Sequence, residues 1–253
     1  MRITLLGTGT STGVPVIGCR CAVCTSSDPR NVRLRPGVRI ELPAGTAIVD
    51  TPTDLRQQAL TYGLERVDAV LYTHGHADHI FGLDELRVFN FRQGTTIPCY
   101  GPASAMAAIE RTFAYAFEEG QEGGGKPKIE LHAIDDRPLR LLGAEVLPVP
   151  VLHGELDVFG YRLGPFAYVT DVSFISAESF ARLAGVDVLV LGALRYRPHT
   201  THFSIPEAIV AAQRIGARRT LFTHLAHDVD AAAPGELPAG VELAYDGLVL
   251  DFE

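Results

Sequence analysis

The stretch "LYTHGHADH", residues Leu71 to His79, places three histidines and an aspartate within six positions after an apolar run. The segment "VDAVLYT" that includes this run is typical of a buried strand, and ligands commonly bind beyond the carboxyl ends of such strands. His74 and His76 can face one centre from an irregular loop, whereas the adjacent Asp78 and His79 face another. The spacing therefore predicts two metal ions; the alternative is a purely structural role for these residues at a helix start.

The composition is that of an acidic, globular protein, with 253 residues, 47% hydrophobic content and a net charge of -8. The clustered Lys and Arg that binding to extended nucleic acid or anionic membrane requires do not occur in the sequence. Neither a signal-peptide core nor a run near the roughly 20 apolar residues of a membrane span occurs, so we expect a cytoplasmic protein. In that reducing compartment the four cysteines are expected to be thiols or metal ligands.

The apolar periodicity predicts strands followed by helices in both halves of the chain. The predicted strands are "RITLLG", "VRIEL", "TAIVD", "VDAVLYT", "PLRLL", "AEVLPVPVL", "FGYRLG", "FAYVT", "VDVLVLG" and "RTLFTH", and the predicted helices are "DLRQQALTYG", "GLDELRVFNF", "SAESFARLAG" and "IPEAIVAAQRIGA". This order favours two packed sheets with helices outside them. The segment 118–128, rich in Gly and charge, is predicted to be a loop, either a lid over a site or a surface connection.

Further candidate ligands stand where other apolar runs end. "VPVLH" ends at His153, "FAYVTD" at Asp171 and "RTLFTH" at His224. Zinc or manganese in a two-metal hydrolase binds histidine nitrogen and carboxylate oxygen and keeps a position open for water. We therefore expect these three residues to complete the site, whereas His132, inside a strand pattern, and His199, in a loop, are outside it.

The spacing of these candidates resembles that of the metallo-β-lactamase superfamily over essentially the whole chain: His74-x-His76-x-Asp78-His79, then His153, Asp171 and His224. The resemblance implies an α+β fold, a four-layer αββα sandwich, in one domain over residues 1–253. It also implies a dinuclear centre of zinc or manganese, with one ion bound by His74, His76 and His153, the other by Asp78, His79 and His224, and Asp171 bridging both. Asp50 matches a buried acid that supports a ligand histidine; a turn-forming aspartate is the alternative.

A second cluster lies upstream, in the segment "GCRCAVC". Cys19, Cys21 and Cys24 lack one partner for a closed tetrahedral zinc site, and His227 is the available fourth ligand. This resembles the PhnP-like phosphodiesterases, which pair a structural zinc, here in a loop at about residues 18–30, with the di-metal centre. A redox-active trio and small buried cysteines are the alternatives.

His202 precedes a helix that Ser204 is expected to cap. The arrangement resembles a motif of the superfamily's phosphodiester hydrolases, in which a histidine that is not a metal ligand contacts the phosphate. It favours phosphodiesters over lactams and makes Asp78 and His202 the predicted catalytic residues. A simple capping role for His202 is one alternative, and His199 as the motif histidine is another.

The resemblance thus implies a phosphodiesterase that hydrolyses a small cyclic or linear phosphodiester with a hydroxide held by the dinuclear centre. Arg56 and Arg87 follow motif segments and are candidate phosphate contacts, although each is otherwise an ordinary exposed helical arginine. The acidic charge argues against transfer RNA as substrate. The alternatives are a thioester hydrolase of the glyoxalase II type and a non-hydrolytic protein similar to PqqB; the resemblance also admits a homodimer.

Overall fold

The computed structural model describes residues 1–118 and 125–252, and the predicted loop 118–128 lies mostly outside the described residues. Its strands are β1 (Arg2–Gly7), β2 (Gly37–Leu42), β3 (Gly45–Val49), β4 (Ala69–Leu71), β5 (Ile97–Gly101), β6 (Ile129–Ala133), β7 (Leu139–Leu141), β8 (Ala144–His153), β9 (Leu156–Leu163), β10 (Phe166–Val169), β11 (Val188–Gly192), β12 (Arg219–Thr223), β13 (Val241–Leu243) and β14 (Val249–Asp251).

The helices connect these strands and cover the sheets. They are α1 (Leu55–Tyr62), α2 (Ala77–Ile80), α3 (Leu86–Gln93), α4 (Ala103–Thr112), α5 (Ala114–Phe117), α6 (Ala177–Leu183) and α7 (Ile205–Ile215). None of the helices in the described ranges has the length and apolar character of a membrane span.

The strands form two seven-stranded mixed sheets. Their spatial orders are β14-β1-β2-β3-β4-β5-β6 and β13-β12-β11-β10-β9-β8-β7. In the first sheet β3, β4, β5 and β6 run parallel, and in the second β10, β11, β12 and β13 do. Because parallel strands end at the same edge, the residues that follow them are brought together along that edge.

The hydrophobic core lies in three layers. Side chains such as Val38, Tyr161 and Val190 fill the space between the sheets. One group packs the outer face of the first sheet beneath α1, α3 and α4, and another packs the second sheet beneath α6 and α7. Strands covered on both faces are apolar throughout, which accounts for runs such as "VLVLG". The predicted four-layer αββα sandwich is confirmed.

Helix α7 begins at the predicted cap. The hydroxyl of Ser204 accepts from the backbone N–H of Glu207 at 3.4 Å, and the Glu207 carboxylate accepts from the N–H of Ser204 at 2.8 Å. This capping box fixes where the preceding loop enters the helix. The orientation of the segment around His202 is set in this way by local sequence.

Candidate metal centre

The site is assembled from residues at strand ends. Asp50 directly follows β3, His153 is the last residue of β8, and His224 directly follows β12. Asp171 is the second residue after the end of β10 at Val169. The candidate residues at these strand ends therefore lie along one edge of the sandwich.

Three of these residues have a left-handed backbone that is uncommon outside glycine. The φ angles of Asp50, Asp171 and His224 are 63°, 48° and 61°. Such a conformation costs on the order of 1–3 kcal/mol and persists where the surrounding structure imposes it. The positive φ turns each chain sharply out of its strand, so that the side chains converge instead of continuing the alternation of the strand.

The side chains converge in overlapping groups whose ligand atoms lie within 4.8 Å of one another. The groups are His74, His76 and His153; Asp78, His79 and His224; His74, His79 and Asp171; and His153, Asp171 and His202. The first two are the sets that the family resemblance implied. Asp171 occurs in both remaining groups, with His79 Nε2 at 3.2 Å from one carboxylate oxygen and His224 Nε2 at 3.2 Å from the other. Its position is that of a carboxylate between two sets of ligands.

The predicted support for a ligand histidine is present at Asp50. The Nδ1–H of His79 donates to Oδ2 of this buried carboxylate at 2.7 Å. Asp50 also accepts from the N–H of Thr73 at 2.8 Å and from its hydroxyl at 2.9 Å. These bonds fix the tautomer and ring orientation of His79, and its Nε2 is turned towards Asp171. Thr73 was missed by sequence reasoning, although it immediately precedes His74.

Two other histidines are oriented in the same way. Nδ1–H of His153 donates to the Thr201 carbonyl at 2.6 Å, and His74 Nδ1 lies 3.0 Å from the Thr73 hydroxyl. In each ring this leaves Nε2 as the remaining lone-pair donor.

The buried nitrogens of the cluster fit a bound cation. Among the described residues, His74 Nε2, His79 Nε2 and His224 Nε2 are buried and have no partner in hydrogen-bond geometry, although those of His79 and His224 lie 3.2 Å from Asp171. An unpaired buried polar atom is costly, and native structures leave few of them. Three such atoms that face carboxylates at one strand-end edge are the donor set that a divalent ion prefers.

The pKa shifts of the buried groups in the cluster also favour a bound cation. Burial by itself would raise the pKa of Asp171, but the neighbouring His224 and His79 imidazoles hold that pKa well below its usual range. Burial lowers the pKa of His74 well below its ordinary value, so this ring is neutral at pH 7. Although burial opposes it, the pKa of His79 is raised by the Asp171 and Asp50 carboxylates. A cation at Nε2 of His79 would satisfy those carboxylates in place of that proton.

The three cysteines and His227 of the second cluster also lie close together. The Sγ atoms of Cys19, Cys21 and Cys24 lie 3.3, 3.5 and 3.5 Å from Nδ1 of His227. The backbone N–H of Cys24 donates to the sulfur of Cys21 at 3.4 Å and lowers the pKa of Cys21 to about 6. Three sulfurs and one imidazole nitrogen at this spacing fit a closed, four-ligand zinc site.

One short segment connects the two clusters, because His224 and His227 are separated by only two residues. Leu225 N–H donates to the Thr8 carbonyl at 2.9 Å, and the Ala226 carbonyl accepts from the guanidinium of Arg33 at 3.2 Å. Arg33 is only 1% exposed. The segment is therefore held from both sides by buried hydrogen bonds.

The two candidate motif histidines, His199 and His202, differ in their contact with the cluster. The His202 ring lies 4.4 Å from that of His153 and 4.8 Å from that of His224, centroid to centroid, and its Nδ1 lies 3.9 Å from Asp171. His199 is exposed, and its ring lies 5.3 Å from that of His202. His202 is thus the histidine in contact with the cluster.

The two candidate arginines are not brought to the cluster. Arg56 is exposed on α1 and lines a groove between α1 and α3 to which no ligand residue contributes. Arg87, on α3, pairs at 3.1 Å with Asp84, which lies just before that helix. Their contacts are those of surface arginines, and neither supports a role in phosphate binding.

The chain is similar to several known proteins. A family model described as the beta-lactamase superfamily domain matches residues 46–225. A crystal structure of a new diphosphatase from the PhnP family is 42% identical, with a TM-score of 0.93, and the match covers 100% of this chain and 98% of that one. An octanoyltransferase of Porphyromonas gingivalis is 36% identical over 98% of this chain, which spans about half (51%) of that relative's length. A coenzyme PQQ synthesis protein B of Methylobacterium radiotolerans is 27% identical over 75% of this chain and 72% of its own length.

Proposed function

The chain belongs to the β-lactamase superfamily and, within it, to the PhnP family, and on this basis we propose that it is a metal-dependent hydrolase of small phosphodiesters. The observation that carries the proposal is the position of His202, a histidine outside the two implied ligand sets whose ring contacts both His153 and His224. A hydrogen-bond donor at that place suits the charged oxygens of a phosphoryl group.

The proposed ligands form two sets that share one carboxylate. His74, His76 and His153 would hold one divalent ion, and Asp78, His79 and His224 would hold the other, with Asp171 between them. Mixed nitrogen and oxygen ligands suit zinc and manganese. Bound there, such ions lower the pKa of water towards neutrality and stabilise charge on phosphoryl oxygens. The proposed third ion is the structural zinc of the cysteine cluster.

The proposed reaction adds water across one P–O ester bond. The phosphorus gains a hydroxyl and the leaving alkoxide gains a proton. Burial, followed by the effect of neighbouring His224, lowers the pKa of His202 to about 3. The neutral ring still carries one N–H, and we assign His202 as a donor to a non-bridging phosphoryl oxygen.

Substitution of His202 by alanine tests this assignment. We expect kcat on bis(p-nitrophenyl) phosphate to fall about 100-fold, because one donor to the charged transition state is lost. Metal content, measured by inductively coupled plasma mass spectrometry, is expected to stay unchanged, because the implied ligands are intact. The matched control is His132→Ala, because His132 makes its contacts with Tyr100 and Glu130 on the first sheet. A His202 variant with full metal and undiminished kcat would refute the assigned role.

A second candidate reaction is cleavage of a diphosphate bridge. It is favoured by one observation, the 42% identical relative described as a diphosphatase. The chemistry is closely related, because water again attacks phosphorus and the second phosphate leaves in place of an alkoxide. Product analysis separates the two reactions.

Other relatives give weaker support for other activities. The octanoyltransferase is about twice as long as this chain, and its activity belongs to that whole protein. The PQQ synthesis relative is less similar, and a PqqB-like role would require no turnover of phosphate esters. A thioester hydrolase of the glyoxalase II type would need no donor at His202. We expect a small substrate, because the net charge of -8 disfavours extended nucleic acid.

A further inference from the structure

The loop that carries His202 also carries a second histidine and two arginines, in the sequence "RYRPHTTH" from Arg195 to His202. Its two ends are pinned together: Leu194 N–H donates to the Phe203 carbonyl at 2.9 Å, and Ile205 N–H donates to the Arg195 carbonyl at 2.8 Å. The loop therefore presents its side chains from a fixed base.

The loop is also tied to the metal cluster through Thr201. Its carbonyl accepts from His153 Nδ1, and its backbone N–H donates to His199 Nδ1 at 3.3 Å. Because Nδ1 of His199 is an acceptor, the ring proton of a neutral His199 is on Nε2. No hydrogen bond to that Nε2 is present within residues 1–118 and 125–252. His199 thus presents an unused N–H on the solvent side of His202.

The positively charged guanidinium of Arg195 lies near His199. Arg195 is half-buried, and its Nε and Nη2 make only long contacts of 3.3 Å with the carbonyls of Arg197 and Pro198. In the part of the chain that the structure describes, no carboxylate lies within 4.0 Å of the Arg195 guanidinium. Besides burial, the charge of Arg195 lowers the pKa of His199, consistent with their closeness. An arginine without an acidic partner, held beside an unused N–H, suits an anion with several oxygens.

We propose that His199 and Arg195 form a second phosphate subsite, which selects substrates with two linked phosphates. The inference rests on the proposed function. His202 Nδ1 lies 3.9 Å from Asp171, the His199 ring lies 5.3 Å from that of His202, and Arg195 Nη2 lies 3.3 Å from the carbonyl of Pro198, which directly precedes His199. A phosphate held beside His202 would therefore leave the next phosphate of the substrate close to His199 and Arg195. The favoured substrate class is therefore a disubstituted diphosphate, with the bridge oxygen between the two subsites.

The test compares two substrates that differ in the number of phosphorus atoms. Uridine diphosphate glucose has two, and bis(p-nitrophenyl) phosphate has one. In Arg195→Met and in His199→Leu, we expect KM for the diphosphate to rise about tenfold, the effect of losing one charged hydrogen bond. KM and kcat for the single-phosphorus ester should change less than about twofold. Arg195→Lys should recover part of the loss, and Arg197→Met, in the same loop but near Asp228, is the matched control.

The outcomes separate this inference from the proposed function. If the variants lose both substrates equally, the two residues only support the loop, and the subsite is refuted. The same follows if the wild type hydrolyses the ester but not the diphosphate. If it hydrolyses neither, the proposed function fails, and calorimetry with methylenediphosphonate against inorganic phosphate decides the subsite alone. The subsite predicts that Arg195→Met weakens methylenediphosphonate about tenfold more than phosphate; an equal change would overturn it.

Discussion

Asp171→Asn is expected to lower kcat/KM on bis(p-nitrophenyl) phosphate by about a thousandfold. Asp171 lies 3.2 Å from Nε2 of both His79 and His224, closer than Asp78 at 3.4 and 3.7 Å, and it takes part in two of the four candidate ligand groups of this cluster. Its loss removes a negative ligand shared by both proposed ions, and several kcal/mol of charge stabilisation correspond to about three powers of ten. Asparagine keeps the side-chain shape and tolerates the left-handed backbone at this position, where φ is 48°.

The measurement is kcat/KM together with the metal content per chain. We expect the asparagine variant to bind less metal and to retain its fold, as judged by circular dichroism. Asp135→Asn, an exposed carboxylate that pairs with Arg137, is the matched control and should leave both quantities unchanged. An Asp171→Asn enzyme with full metal and wild-type kcat/KM would show that this carboxylate does not bridge the centre.

Cys24→Ser is expected to lower the free energy of unfolding by about 4 kcal/mol, or the melting temperature by roughly 10 °C. The three sulfurs and His227 join the loop at about residues 18–30 to the segment that follows β12. Residues 18–28 contain no helix or strand, so this loop is not held in place by regular secondary structure. Loss of one thiolate opens the proposed zinc site, so its metal no longer stabilises the fold.

Zinc content and thermal unfolding measure this effect. One zinc per chain should be lost, while the histidine and aspartate cluster keeps its metal. Cys99→Ala is the matched control, since Cys99 is buried in the core of the first sheet, away from the cluster. It should cost only about 1 kcal/mol and no zinc. Unchanged zinc content and melting temperature in Cys24→Ser would mean that the cysteines hold no structural ion.

The candidate ligand positions could be predicted from the sequence because each stands at the end of an apolar strand or just after it. His153, Asp171 and His224 were found in this way, and the structure brings them together with the "HGHADH" segment. What the sequence could not show is the geometry that joins them. The left-handed turns at Asp171 and His224, and the hydrogen bond from His153 to Thr201, depend on contacts distant in the chain.

Local patterns were least informative where elements are short or rich in small residues. Helix α4 was not predicted, because "ASAMAAIERT" offers small residues and few apolar anchors, and its burial against β5 and β6 is a tertiary effect. Strands β13 and β14 have three residues each and exist only as edge additions to β12 and β1. Arg195 was also missed, because an isolated arginine has no pattern of its own.

The most direct test of the account is hydrolysis in heavy-oxygen water by the metal-loaded wild-type protein. The protein would be given four substrates separately: bis(p-nitrophenyl) phosphate, uridine diphosphate glucose, a thioester and a lactam. The masses of the products would be determined by mass spectrometry. The account predicts that a phosphorus substrate is cleaved and that one heavy oxygen enters the phosphoryl product, because water attacks phosphorus. Cleavage of only the thioester or the lactam, or of none of the four with the metal sites filled, would contradict it.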